Sequence, residues 1–124
     1  VWDRSTANPA AIAAARSLRR AGTYAMVTLN NESRALNEYR IRVFGLGEIF
    51  DAFLSSCYTG RRKPDPDAYR HALDITQCSP EESLFLDDRP ENVDAAARLG
   101  LRTLQVLDPA RLSEELASVG VAEE

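Results

Sequence analysis

Tyr24-Ala25-Met26-Val27-Thr28-Leu29 is a near-continuous apolar run that turns abruptly polar at Asn30-Asn31-Glu32-Ser33. A run of strand length without alternation is the pattern of a strand covered on both faces of a parallel sheet. Leu84-Phe85-Leu86, ending on Asp87-Asp88, is a short buried strand, and Thr103 to Leu107 gives another strand. Helix-length segments separate them, so the chain reads as repeated βα units. The resulting fold class is α/β, an open parallel sheet between two helical layers. In such sheets ligands bind outside the carboxyl ends of the strands, which singles out Thr28 to Asn31 and Asp87-Asp88.

The intervening helices carry their own start and stop signals. Asn8-Pro9 opens a helix over Ala10 to Ala21, with Ala11, Ala14, Ala15, Leu18 and Ala21 on one face, Arg16, Arg19 and Arg20 on the other, and Gly22 as its stop. A helix is expected from about Ser33 to Arg40, then a glycine-broken stretch at Gly45 and Gly47 and a short apolar piece from Ile49 to Leu54. Asp65-Pro66 caps a helix with Tyr69, Ala72 and Leu73 inward, and Ser79-Pro80-Glu81-Glu82 is a further helix-start or turn signal. Pro90 opens a helix with Val93, Ala96, Ala97 and Leu99 inward and Gly100 just past its end; an amphipathic helix from about Pro109 to Val119 closes the pattern.

Composition limits what such a domain does. At 124 residues one core is feasible without metal or disulfide staples, and two are not. Fifteen Lys and Arg against 19 Asp and Glu give a net charge of -4, which argues against partners such as nucleic acid or an anionic membrane. Cys57 and Cys78, with no CxxC and one histidine, His71, support neither a zinc site nor a disulfide framework; both read as reduced thiols of a cytoplasmic protein. No apolar stretch approaches membrane-spanning length, and Val1-Trp2-Asp3-Arg4-Ser5 lacks the order of a signal peptide.

Two adjacent carboxylates after a buried strand repel each other unless a cation compensates, and Mg²⁺, which takes one or two carboxylates, is a natural partner for Asp87 and Asp88. An equally good reading has one of them simply capping the helix at Pro90. Lys63, held between Arg61-Arg62 and Pro64-Asp65-Pro66, is either a counter-charge for an anion or part of a solvated basic loop. Thr28 either helps to cradle an anion or ends a strand. His71 and the Arg61-Arg62 pair read as solvent-facing, Trp2 and Tyr24 as packing residues. Gly45-Leu46-Gly47 lacks the third glycine of a dinucleotide fingerprint.

The order of these features is more specific than any one of them. A hydroxyl after one strand, Lys63-Pro64-Asp65-Pro66-Asp67-Ala68-Tyr69 after the next, and Leu84-Phe85-Leu86-Asp87-Asp88-Arg89-Pro90-Glu91-Asn92-Val93 with Leu99-Gly100-Leu101 resemble the haloacid dehalogenase (HAD) superfamily, in particular its phosphatases with a helical cap. The resemblance implies a Rossmann-like α/β/α core and an Mg²⁺-dependent hydrolase acting on a small phosphorylated metabolite. It implies that Thr28 bonds the transferred phosphoryl group and that Lys63 neutralises phosphate and nucleophile. Asp88 would bind Mg²⁺ directly, with Asp87 a direct or water-mediated partner and Asn92 supporting the acidic loop. Thr28-Leu29-Asn30-Asn31 departs from the commoner hydroxyl-Asn order, so Asn30 stands beside Thr28 as a phosphate-binding candidate. A receiver domain, by contrast, meets its acidic pair first and its lysine last.

The family's Asp-x-Asp motif, which provides the nucleophile and an acid/base, matches nothing before Thr28. The expectation is therefore a core domain over residues 8–124 that lacks the family's first, central strand and most of the cap. Residues 1–7 would form the exit of a cap or linker, and the chain alone would be inactive. The alternative is a catalytically silent HAD-like binding or regulatory module.

Overall fold

The computed structural model describes residues 9–22, 24–30, 34–43 and 45–120. The expected cap exit at residues 1–7, with Trp2, lies outside them. Helix α1 (Pro9–Ala21) buries Ala11, Ala14 and Ala15 and carries Arg19 and Arg20 in its last turn, where cations complement the helix dipole. Strand β1 (Val27–Asn30) starts later and ends later than the apolar run predicts. The reason is Asp51: its carboxylate accepts from the Met26 amide at 2.8 Å, and its own amide donates to the Met26 carbonyl. At Met26 the chain is therefore tied to the residue before the neighbouring strand and does not yet join a ladder. Tyr24, expected to pack, is 41% exposed.

Helix α2 (Arg34–Val43) runs three residues past its expected end. The Ile49 to Leu54 piece divides: a 3-10 turn over Leu46–Glu48 precedes it, Ile49 plugs a core, and only Ala52–Ser55 forms strand β2. A single helical turn, α3 (Ser56–Thr59), comes directly after it and ends at Gly60, whose φ of 69° suits a residue without a side chain. Helix α4 (Pro66–Thr76) begins as expected, with the Asp65 carboxylate accepting from the Asp67 amide at 2.9 Å. Ser79 and Glu82 bond reciprocally around a 3-10 turn over Pro80–Glu82. Then come β3 (Leu84–Asp87), α5 (Pro90–Arg98), β4 (Arg102–Gln105), a 3-10 turn over Pro109–Arg111, and α6 (Leu112–Ser118). In α5 the buried face is set by Asn92, Ala95 and Ala96; Ala97, expected inward, is exposed. His71, expected to face solvent, is partly buried.

All strand pairing among the described residues is parallel. β1 pairs with β2 from Val27 opposite Ala52 to Asn30 opposite Ser55, and β3 with β4 from Leu84 opposite Arg102 to Asp87 opposite Gln105. The two pairs form separate ladders: no backbone hydrogen bond joins β1 to β3 among the described residues. They nonetheless share one apolar cluster, in which Leu29 and Leu54 meet Phe85 through Ala68 and Tyr69 of α4 and Ala95 and Ala96 of α5. A second cluster of Ala15, Leu46 and Ile49 packs with Phe50 and Phe53, so α1 covers the opposite side. No helix among the described residues is long and apolar enough to cross a membrane.

Asp51 pins the entry to this arrangement. The Met26 amide, together with the hydrogen bond and charge of Arg19 at 2.7 Å, holds its carboxyl below the usual range. A depressed folded-state pKa contributes stability above the ordinary carboxylate range and loses it as pH falls through the folded-state value. Because the ion pair is exposed and screened, Asp51→Asn should cost only about 1 kcal/mol at neutral pH. Wild-type and variant denaturation midpoints should converge as the pH is lowered through the acid range. A gap that is independent of pH would contradict this role.

Candidate active site

The carboxyl end of β3 holds the most constrained polar group among the described residues. Asp87 is the last residue of the strand and is 2% exposed. Its Oδ2 accepts from Lys63 Nζ at 2.7 Å and from Asn92 Nδ2 at 3.2 Å, while Oδ1 accepts from the Arg89 amide at 3.0 Å. The capping reading does not hold as stated, because the residue at the N-cap of α5 is Arg89 and no side chain caps it; Asp87 acts one step earlier, on the Arg89 amide. One oxygen organises the turn into α5; the other takes a buried ammonium.

Lys63 reaches this point because Gly60 turns the chain after α3 and Asp65-Pro66 starts α4 two residues on. Its side chain is 1% exposed, so the solvated-loop reading fails for Lys63, although it describes the exposed Arg61 and Arg62. The ammonium also lies 5.8 Å from the centroid of the Phe85 ring. Burial pushes the Asp87 carboxyl up. The Lys63 and Arg89 hydrogen bonds, the Lys63 charge and a side-chain hydrogen bond with Asp88 outweigh it and leave the group below the usual carboxylate range.

Asp88, the adjacent residue, is exposed, and its carbonyl accepts from Gln105 Nε2 at 3.2 Å. Thr28 lies one strand pair away, within β1 and opposite Phe53. Its hydroxyl is buried without a hydrogen-bond partner among the described residues, an arrangement that costs about 1–3 kcal/mol unless another molecule or segment supplies the partner. Asn30, at the end of the same strand, falls on the face of Thr28 by the two-residue alternation; its side chain lies outside the described residues.

The structure therefore brings Lys63 and Asn92 together on Asp87 and places Thr28 inside β1, two residues before its end, so the reading of Thr28 as a strand terminus does not hold. Two further buried residues stand at the strand ends or against this contact: Ser55, which the sequence reading passes over, and Tyr69, which it gives only an inward-packing role. Ser55 is wholly buried at the carboxyl end of β2, and Tyr69 donates its hydroxyl to the Asn92 carbonyl at 2.9 Å. Both had a signal. Ser55 comes after the apolar pair Phe53-Leu54 just as Asp87 comes after Leu86, and a tyrosine on an inward helical face needs a partner for its oxygen.

As a metal site the donor set is partial. No cluster of three or more metal-ligating side chains occurs among the described residues. Asp87 is engaged through both oxygens, and Asp88, which interacts with it, is the exposed member of the pair. One or two carboxylates with water and a phosphate oxygen are what Mg²⁺ accepts, so Asp88, with Asp87 beside it, fits as part of such a shell.

A protein-family model described as haloacid dehalogenase-like hydrolase matches residues 1–100. The chain belongs to this family. Among curated HAD-like relatives, rat (Rattus norvegicus) bifunctional epoxide hydrolase 2 is 33% identical over 109 residues, covering 86% of this chain and 20% of that protein. The sesquiterpene phosphatase astK of Aspergillus oryzae is 38% identical over 69 residues, 56% of this chain and 35% of its own length. Among solved structures, an L-2-haloacid dehalogenase with 29% identity superposes at a TM-score of 0.68 over 77% of this chain and 40% of that one. The chain thus spans about a third or less of these curated relatives and under half of this solved HAD-like structure. The expected HAD-like α/β class is the class observed.

Proposed function

We propose that this chain is part of an Mg²⁺-dependent phosphomonoester hydrolase that acts on a small phosphorylated metabolite in the cytoplasm. The supporting observation is the buried Lys63–Asp87 pair at the end of β3: an ammonium held out of water at a strand end is a preorganised counter-charge for an anion. Phosphoryl transfer demands mainly positioning and charge compensation, which this arrangement supplies. Thr28, with Asn30 beside it, donates to the phosphoryl oxygens, which would satisfy the orphaned hydroxyl of Thr28. Asp88 is the direct Mg²⁺ ligand; Asp87 holds Lys63, and Asn92 holds Asp87. When bound, Mg²⁺ adds positive charge beside the transferred group.

No Asp-x-Asp motif precedes Thr28, and in this reading the nucleophile is an aspartate on a further strand of the whole protein. The unjoined edges of β1 and β3, which share one core without sharing a ladder, support a strand lying between them. Its carboxylate attacks phosphorus and the ester P–O bond breaks, with the alcohol leaving protonated by a second acid. Water then hydrolyses the aspartyl-phosphate to free phosphate. The test is the full-length protein assayed against phosphomonoesters and 2-haloacids, with Mg²⁺ and with EDTA. Phosphate release that requires Mg²⁺ is expected. Halide release would favour the dehalogenase chemistry of the solved relative, and no turnover of either class would favour a silent module.

A further inference from the structure

Tyr69 is the largest fully buried side chain among the described residues. Apolar packing accounts for its ring, which meets Phe85 edge-on with centroids 5.1 Å apart. It does not account for its hydroxyl. That group donates at 2.9 Å to the main-chain carbonyl of Asn92, in the first turn of α5. The side chain of the same residue donates to Asp87 Oδ2, the oxygen that also takes Lys63. On its other side the Phe85 ring that Tyr69 abuts lies beneath the Lys63 ammonium. Tyr69 thus supports both groups that converge on one carboxylate oxygen while hydrogen-bonding to neither side chain.

We propose that Tyr69 is a positioning residue: its hydroxyl fixes the first turn of α5 so that the Asn92 amide holds Asp87, and with it Lys63, in place. The effect on turnover runs through the Asn92 side chain, and this part rests on the hydrolase reading above. The geometry is suited to such a role. α4 carries Tyr69 and α5 carries Asn92, and the bond ties the two helices at a point one side chain away from the pair. The Asn92 carbonyl has a second lone pair for Tyr69 beyond that used within the helix. Outer partners of this kind typically change activity about 10–100-fold when lost.

The experiment is a double-mutant cycle in the full-length protein. Tyr69→Phe removes one oxygen and keeps the ring against Phe85. It should lower kcat by about 10-fold with KM nearly unchanged. Asn92→Ala should lower kcat at least as far, and adding Tyr69→Phe to it should change kcat no further. The unfolding midpoint, in contrast, should drop with Tyr69→Phe in both backgrounds, because Asn92→Ala leaves the main-chain carbonyl in place. A purely structural tyrosine would leave kcat within about twofold of wild type or give multiplicative losses in kcat; either result overturns the proposal. A second readout does not depend on turnover. The Asn92 side-chain amide resonances, assigned by their loss in Asn92→Ala, should shift and exchange faster in Tyr69→Phe. Unchanged resonances overturn the positioning role even if the enzyme is active. A shift in a protein without phosphatase activity keeps that role and rejects only the hydrolase reading.

Discussion

Lys63→Ala destabilises the full-length protein by about 3–5 kcal/mol, because it leaves Asp87 a buried carboxylate without its counter-ion. Both side chains are almost fully desolvated, and their 2.7 Å contact is the shortest polar contact of the site. Asn92 and the Arg89 amide remain as donors, so the carboxylate is not orphaned, but neither carries charge. The pH dependence distinguishes this from a generic packing loss. In the wild type the folded-state pKa of Asp87 is depressed, so its stabilisation is present above the ordinary carboxylate range and fades as pH falls through the folded value. Without Lys63, burial dominates and raises the pKa. The penalty is then largest near neutral pH and is relieved on acidification, as the carboxyl becomes neutral. Urea titrations of both proteins from about pH 8 down to about pH 4 should show the gap narrowing toward acid. Lys63→Met with Asp87→Leu, which removes both charges at similar volume, should recover most of the stability. Turnover should stay lower by about 10²–10³-fold in all these variants, as for other lost preorganised donors. Wild-type stability in Lys63→Ala would mean that the pair is not formed in solution.

Asp88→Asn produces the opposite combination: little change in stability and a large loss of Mg²⁺-dependent turnover. The side chain is exposed, so amidation should shift the unfolding free energy by no more than about 0.5 kcal/mol. An amide is a poorer ligand for a hard divalent cation than a carboxylate, and loss of a direct ligand should exceed the roughly 10–100-fold typical of outer partners. Phosphatase kinetics across an Mg²⁺ titration should show kcat down by more than about 100-fold, with the half-saturating Mg²⁺ concentration raised. Activity near that of the wild type would remove Asp88 from the proposed metal shell.

The two variants separate because two adjacent aspartates occupy different environments, a difference that is not legible in the sequence. Asp87-Asp88 after Leu84-Phe85-Leu86 identifies a strand end with paired carboxylates. Which one is buried depends on the alternation along β3, where Phe85 and Asp87 share a face. The Lys63-Pro64-Asp65-Pro66 segment announces a capped helix and a restrained lysine, and both are present. That Lys63 lies under cover against Phe85 depends on the packing of α4 on β3, a contact distant in sequence. Apolar content locates the strands, yet their ends obey backbone pairing. Tyr24 to Met26 is as apolar as Val27 to Leu29 but stays outside the ladder, because Asp51 captures the Met26 amide first. Asn92 stands out in the sequence only through the family resemblance, and Tyr69 reads there as an inward helix residue whose partner, the Asn92 carbonyl, only the fold identifies.

The division of the sheet into two ladders bears on how the molecule coheres. Each ladder closes within one strand–helix–strand stretch of chain, so backbone order in β1–β2 does not require backbone order in β3–β4. Side-chain matter crosses from one half to the other: the apolar cluster around Tyr69, the ionic bond from the segment after β2 to the tip of β3, and the packing of α1 against α6. The seam between the halves thus contains a titratable link of its own, apart from the acid-sensitive Asp51 pin within the first half. Protonating Asp87 loosens the junction of the halves.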